Sequence, residues 1–316
     1  MQNAETVMLN TKSKKKATKS SDLFKRINKY KLFYLMFAPV FIFYVLFHYV
    51  PMIGVKMAFY EYGIFGPTKF IGWENFERLF QNKDFWISMK NTLILSFYNL
   101  GLGMVITISF ALLLNEVRTG YFKKFVQTAV YLPHFLSWVV IAAVFTLILS
   151  PEYGVVNAVI NSLGGEKIYF LISEKWWRGI FIAINRWKET GWAAIIYMAA
   201  LSNVNPELYE AAEIDGAGRL KQTWYITLPS IMTTILTVLI LDMAKVLDIF
   251  QSVMVMQNPL VYSVSDVIGT YTYRVGLVQG DYDYAAAVGL FKSVISLVLV
   301  MMANRLSKKV KGESIL

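Results

Sequence analysis

The chain has 316 residues, of which 56% are hydrophobic and 16% are charged, and its mean hydropathy is +0.47. Soluble domains carry about 25% charged residues, so this composition argues against a soluble protein and indicates a membrane protein. The absence of cysteine excludes a disulfide framework, a thiolate metal site and a cysteine nucleophile. The formal net charge of +10 is compatible with a nucleic-acid partner or with a membrane surface, and the distribution of the basic residues distinguishes the two.

The N-terminal tail, residues 1–31, is polar and strongly basic. Its basic residues are Lys12, Lys14, Lys15, Lys16, Lys19, Lys25, Arg26, Lys29 and Lys31. Because this run directly precedes a hydrophobic segment, it predicts a cytoplasmic anchor that contacts membrane lipid rather than a nucleic-acid partner. The segment 32–53 is long enough to cross a bilayer and longer than the core of a cleaved signal peptide.

Six hydrophobic segments define a transmembrane domain, residues 32–305, which is followed by a C-terminal tail, 306–316. The predicted spans are about 32–53, 90–114, 125–149, 178–201, 229–256 and 284–304. Pro133 is expected to kink the third span. A short amphipathic helix, Trp73 to Phe80, is expected to lie at the membrane interface.

The connecting segments differ in charge, which predicts their sides. Eighteen Lys and Arg residues, counting Arg305, lie in or beside the two tails, the connection 115–124 and the segment 205–229, against nine in or beside the loops 54–88, 150–177 and 257–283. Cytoplasmic segments carry the excess of basic residues. Both termini and residues 205–229 are therefore predicted to be cytoplasmic, and the three loops to lie outside.

The segment 205–229, NPELYEAAEIDGAGRLKQTWYITLP, predicts a helix, a turn and a second helix. Asn205 suits a helix cap and Pro206 suits the first helical position. Gly216 and Gly218 are expected to end the first helix and to supply the freedom of a sharp turn. Such a unit between two spans is either an ordinary hairpin or a docking device for a partner protein.

The same segment resembles the EAA motif of binding-protein-dependent ABC importer permeases. The matching residues are Glu210, Ala211, Ala212, Asp215, Gly216, Ala217, Ile226, Leu228 and Pro229. Thr223 departs from the bulky apolar residue of many sugar permeases, and Trp224 is its neighbour. The resemblance implies that this loop enters a groove of an ATPase subunit, with Glu210, Ala211, Ala212, Asp215, Gly216 and Ala217 as the docking residues.

Two further stretches resemble permeases for oligosaccharides and complex polysaccharides. They are NPLVYSVSDVIGTYTYRVGL, residues 258–277, and YAAAVGLFKS, residues 284–293. The resemblance implies an all-α membrane protein of the type I importer class, in the bacterial cytoplasmic membrane. It forms half of a sugar path with a second permease subunit, two ATPase subunits and an external solute-binding protein. The chain lacks a phosphate-binding loop, so we expect no cofactor in it and no ATPase activity of its own, with ATP and Mg²⁺ bound by the partners.

Charged residues inside the predicted spans are candidates for the solute path. They are Asp242, Lys245, Asp248, Lys292 and Lys188, with Trp187 as a ring on which a sugar can stack. A charge at the centre of a lipid-facing helix costs about 2.5–3.5 kcal/mol, so these side chains should face protein or water. Structural ion pairs, Asp242 with Lys245 or Lys245 with Asp248, are the alternative.

Four basic side chains in or near the spans, Arg186, Lys188, Lys245 and Lys292, indicate an anionic oligosaccharide such as a uronate. In span four, Arg186, Lys188 and Glu189 either line an outer vestibule or extend to the lipid headgroups.

Two other functions remain open from the residues. An ion-coupled carrier would use Asp242 and Lys245 as a relay, and a membrane-embedded glycan or lipid transferase would use Asp281 and Asp283. Neither explains the 205–229 segment. His48 and His134 are expected to be packed polar residues rather than metal ligands.

Overall fold

The computed structural model describes residues 28–63, 66–117 and 120–311. The predictions for the tails 1–27 and 312–316, and for Arg118, lie outside those residues. Helices dominate the described chain, which confirms the all-α prediction, with one added two-stranded hairpin. The chain divides into two compact units, one ending at Lys56 and one beginning at Met57.

The first unit is helical from Lys31 onward. It comprises an α-helix, Lys31–Tyr44, a π-helical turn, Val45–Tyr49, and a last α-helical turn, Val50–Met52. The whole helix, α1, runs Lys31–Phe59 with a mean hydropathy of 1.9, and most of its large apolar side chains from Leu32 to Val55 are exposed. Such a surface suits lipid or another protein rather than water, in agreement with the predicted first span.

The second unit opens with an antiparallel hairpin, β1 (Tyr60–Gly63) and β2 (Gly66–Phe70), and a short helix, α2 (Glu74–Gln81). Its helices are then α3 (Lys83–Glu116), α4 (Gly120–Tyr131), α5 (Trp138–Ile148), α6 (Val155–Ser162), α7 (Glu174–Ser202), α8 (Pro206–Ile214), α9 (Arg219–Ser230), α10 (Met232–Ala244), α11 (Phe250–Met256), α12 (Tyr262–Ser265), α13 (Ile268–Tyr273) and α14 (Tyr282–Lys311).

The helix α2 confirms the helix predicted near Trp73 to Phe80, but not its position at the membrane interface. Phe76 is buried in a cluster with Ala58 and Ala287, and Leu79 is buried in a cluster with Tyr284. The apolar face of α2 therefore packs against the protein, because two of its large side chains have apolar partners on α14.

Three described helices are long and apolar enough to cross a membrane: α1, α3 and the Tyr282–Lys309 part of α14. The pairs α4 with α5 and α9 with α10 meet this test only as bent spans, with bends of 105° and 61°. Helix α7 has 29 residues, about 44 Å, but carries Arg186, Lys188 and Glu189 near its middle. By length and composition, the described part of the chain thus has up to five spans. Helix α7 corresponds to the remaining predicted span, 178–201, and does not meet the test.

The third predicted span is broken rather than kinked at Pro133. Helix α4 ends at Tyr131, a 3-10 turn covers Leu132–Phe135, and α5 begins after Ser137. Proline has no backbone N–H to continue the helix. The Ser137 hydroxyl accepts a hydrogen bond from the N–H of Val140 and so caps the start of α5.

The fifth predicted span, 229–256, is wrong as one continuous helix. Helix α10 ends at Ala244, residues 245–249 form a turn, and α11 begins at Phe250. Lys245 and Asp248 lie in this turn, where their charged side chains require polar surroundings.

The predicted outer loop 257–283 is folded into the protein core. Ile268 and Tyr271 are buried, and Asn91 of α3 donates hydrogen bonds to the carbonyls of Ser263 and Asp266, both at 3.1 Å. Asp266 also forms a salt bridge of 2.6 Å with Arg274, and this hydrogen bond raises the pKa of the Arg274 guanidinium.

Close packing of α7 on α4 depends on Gly191. A Cβ built at position 191 would overlap the backbone carbonyl of Val130, whereas one at Gly179, on the same helix, meets nothing within 4 Å. We expect Gly191→Ala to lower the melting temperature in detergent, since the α4 backbone must move. Gly179→Ala is the matched control and should preserve or raise it, because alanine favours a helix over glycine by about 1 kcal/mol.

The measurement is a thermal melt followed by tryptophan fluorescence. Equal melting temperatures for the two variants would contradict the close contact between α4 and α7.

Candidate functional sites: the docking loop and the polar cavity

The segment 205–229 forms the predicted helix, turn and helix, and is called the docking loop below. The Asn205 side chain caps α8 by accepting a hydrogen bond from the N–H of Glu207 at 3.1 Å. At the other end, the N–H of Ala217 donates to the carbonyl of Ala212 at 2.8 Å, and the N–H of Gly216 donates to that of Glu213 at 3.0 Å. This pair of bonds is the Schellman motif, which ends a helix on a left-handed residue.

The two glycines of the turn have different roles. Gly216 has φ +76°, the left-handed conformation that non-glycine residues adopt only at a cost, so its predicted role is confirmed. Gly218 has φ −69° and ψ 165° as the residue that precedes α9, a conformation open to any residue. The prediction that Gly218 also supplies conformational freedom is therefore wrong.

Side-chain contacts hold the docking loop as one piece and attach it to α3. The Tyr209 hydroxyl lies 2.9 Å from that of Thr227, and Gln222 donates to the carbonyl of Ala217 at 3.0 Å. Arg219, at the start of α9, forms a 2.7 Å ion pair with Glu116, the last residue of α3. The docking loop thus contacts α3 through this ion pair and is continuous with α10.

The predicted docking residues lie on the outside of this loop. Glu210, Ala211, Asp215 and Gly216 are exposed, while Ala212 and Ala217 are half-buried. Large apolar side chains accompany them: Leu208, Ile214, Leu220, Trp224 and Tyr225 are 47% to 87% exposed. Contiguous exposed apolar side chains of this kind mark interaction surfaces rather than ordinary protein surface.

A polar cavity of about 590 Å³ lies between α3, α7, α10 and the turn 245–249. Its wall includes three of the predicted path residues, Asp242, Lys245 and Asp248. Lys292 joins them through an ion pair with Asp248, Nζ to Oδ1 3.8 Å. The predicted pairs of Lys245 with Asp242 or Asp248 are not among the salt bridges of the described residues.

The other two predicted path residues are not part of the cavity wall. Trp187 packs edge-on against Phe145, with ring centres 5.4 Å apart. Lys188 is 4% exposed, and its ammonium donates to the carbonyl of His134 at 2.6 Å and lies 3.5 Å from Glu189. The expectation that Lys188 extends to the headgroups is therefore wrong, because the broken third span offers it an acceptor.

Arg186 and Glu189, which the sequence offered as vestibule residues, are on the cavity wall. Ser96 and Asn99 of α3 are there too, and the sequence analysis did not single them out. His134 lies there too, 3.0 Å from the Glu189 carboxylate and stacked on Trp192, although no carboxylate is near it in sequence. One signal was present: Ser96, Asn99 and Gly103 recur at helical spacing inside an apolar span, which indicates a polar face.

Comparison with known proteins agrees with this architecture. The family profile described as "Binding-protein-dependent transport system inner membrane component" matches residues 86–312, and the chain belongs to this family. It is a multi-pass permease subunit of a binding-protein-dependent importer. Membership of this family favours the permease interpretation over the ion-coupled carrier and the transferase.

Individual relatives are similar over nearly the full length. The polygalacturonan/rhamnogalacturonan transport system permease protein YteP of Bacillus subtilis (strain 168) is 45% identical, covering 95% of each chain. Protein LplB of the same organism is 41% identical, covering 90% of this chain and 91% of the relative. A crystal structure of a bacterial ABC transporter involved in the import of the acidic polysaccharide alginate aligns with a TM-score of 0.86 and 41% identity, covering 92% of this chain and 99% of the other.

The docking loop yields a direct test of its turn. We expect Gly216→Ala to destabilise the loop by about 1–2 kcal/mol, because alanine must then adopt a left-handed conformation. Gly218→Ala should be neutral, since its backbone is ordinary and a Cβ there meets nothing within 4 Å. Hydrogen exchange of the amides in 205–230 measures the difference, and equal protection in both variants would contradict the Schellman turn.

Proposed function

We propose that this chain is one half of the transmembrane path of an ATP-driven importer for acidic oligosaccharides. The observation that carries the proposal is the docking loop, a helical hairpin that exposes most residues of the EAA docking set beside large apolar side chains. A second permease subunit, related but different, supplies the other half of the path.

The energy comes from partner subunits. Two ATPases bind ATP and Mg²⁺, and each permease inserts its docking loop into a groove of one of them, as an amphipathic helix does in helix-in-groove recognition. Residues Glu210, Ala211, Ala212, Asp215, Gly216 and Ala217 make the contact in this chain.

Movement of the ATPases reaches the cavity through two elements of the permease. Helix α9 leads into α10, which carries Asp242, and Arg219 pairs with Glu116 at the end of α3, which carries Asn99 and Gly103. Closure of the ATPases therefore changes the relative positions of α3 and α10 and exposes the cavity alternately to the two sides.

An external solute-binding protein delivers the sugar. Support comes from the alginate ABC transporter, also solved in complex with an alginate pentasaccharide-bound periplasmic protein, which aligns with this chain at 41% identity and a TM-score of 0.87. An acidic solute is supported by the polygalacturonan and alginate transporters among the relatives and by Arg186 and Lys245 on the cavity wall.

The proposed topology places both termini in the cytoplasm and the docking loop with them. The basic N-terminal tail then meets anionic lipid of the bacterial cytoplasmic membrane, and the folded segment 257–283 faces the binding protein.

Replacement of Glu210 tests the proposal. The permease is purified from detergent-solubilised membranes with its partners, and the ATPase activity of the complex is measured. We expect Glu210→Lys to abolish co-purification of the ATPase or to uncouple its activity from the loaded binding protein, because the charge at the docking surface is reversed.

Glu166→Lys is the matched control, since Glu166 is exposed and lies in the predicted outer loop 150–177. It should behave as the unmodified chain. No associated ATPase with the unmodified chain, or full coupling in Glu210→Lys, would refute the docking function.

A further inference from the structure

Arg186 occupies a notch in α3 that exists because residue 103 is glycine. A Cβ built at Gly103 would overlap the Nη1 atom of Arg186, and would lie 3.1 Å from its Cζ. Gly103 is buried and sits in the middle of α3, where glycine costs about 1 kcal/mol relative to alanine. The glycine leaves the space that the guanidinium occupies, and an added methyl group would displace the guanidinium.

The guanidinium in this notch is incompletely paired. Its Nη2 donates to the Oδ1 of Asn185, but its Nε is buried and has no hydrogen-bond partner. Two other buried atoms of the cavity wall, Ser96 Oγ and Asn99 Oδ1, also lack one. A buried polar atom without a partner costs about 1–3 kcal/mol in ordinary cores, so these atoms beside a cavity have unused hydrogen-bonding capacity for water or a polar solute.

The two cations of the cavity wall are not held in ion pairs. The wall contains Arg186 and Lys245 together with three carboxylates, those of Glu189, Asp242 and Asp248. Glu189 contacts Lys188 and His134, and Asp248 pairs with Lys292. Neither Arg186 nor Lys245 forms a salt bridge with another described residue, so both are available to an anionic group.

We infer that Arg186, seated in the Gly103 notch, binds the carboxylate of an acidic sugar unit during its passage and selects acidic over neutral oligosaccharides. This inference rests on the proposed function. The planar guanidinium matches a carboxylate with two donors, while Ser96 and Asn99 have capacity for sugar hydroxyls. The cavity volume of about 590 Å³ lies within the range of ligand sites, about 300–1,000 Å³.

Two carboxylates, Glu189 and Asp242, line the same cavity as Arg186, and neither forms a salt bridge with it among the described residues. A path must bind its solute firmly enough to admit it and weakly enough to release it. Carboxylates beside the guanidinium repel an acidic solute and so favour its release.

The test uses the complete transporter, reconstituted in liposomes with its binding protein. Uptake per assembled transporter is measured for trigalacturonate and for its fully methyl-esterified form, which has the same skeleton without the charges. The binding protein is common to all variants, so its own preference cancels when the acid-to-ester ratio of a variant is divided by that of the unmodified protein.

We expect Arg186→Gln to lower this ratio about tenfold or more, because a charge-assisted hydrogen bond is lost. Arg186→Lys should lower it less, since it keeps the charge without the planar fork. Gly103→Ala should lower it while Arg186 is still present, because the added methyl group displaces the guanidinium. Gly101→Ala, on the same helix with nothing within 4 Å of its Cβ, is the control and should leave the ratio unchanged.

If the transporter with Arg186→Gln assembles and its acid-to-ester uptake ratio is unchanged, the inference is overturned. If that variant does not assemble, Gly103→Ala decides in the same way. Absence of any ATP-dependent uptake by the unmodified transporter would instead overturn the proposed function, and this inference with it.

Discussion

Charge on the long helix α7 is the constraint on which the rest of the structure depends. In the hydrocarbon core of a membrane there is no water to solvate an ammonium or a guanidinium, so each must meet a polar group of the protein. Lys188 meets the carbonyl of His134, in the turn between α4 and α5. A helix that stops inside a bundle leaves carbonyls without helical partners, and Lys188 supplies a donor for one of them. The break at Pro133 therefore provides an acceptor for Lys188, and Lys188 provides a donor for a carbonyl at the break.

The same reasoning accounts for the second break. Between α10 and α11 the chain leaves helical geometry at Lys245 and Asp248, the residues that would be costly on a lipid-facing helix. Both face the polar cavity, and Lys292 of α14 pairs with Asp248. Interrupted spans and intramembrane charges are thus one feature of this protein, since each makes the other tolerable.

The docking loop and the cavity are joined by two helices, α3 and α10. Helix α3 ends at Glu116, which is paired with Arg219 of the loop, and its middle bears Asn99 and the Gly103 notch. Helix α10 follows directly from the loop and carries Asp242 to the facing wall. Under the proposed function, these two connections are the routes by which movement of the docking loop reaches the cavity.

Local features of the chain determined the docking loop. The cap at Asn205 and the left-handed residue at Gly216 depend on neighbours within a few residues, so their geometry is readable from sequence, whereas Gly218 looked equivalent and is not. Composition and charge distribution likewise determined the membrane class and predict the sides of the loops.

Only the tertiary structure decided that the third and fifth spans are broken, that α2 and 257–283 join the core, and that Arg186 rather than Trp187 or Lys188 reaches the cavity. Adjacent residues on a helix point about 100° apart. The rotation and register of α7 therefore decide which of its residues meets Gly103 on α3. Packing between segments far apart in the chain sets that rotation and register.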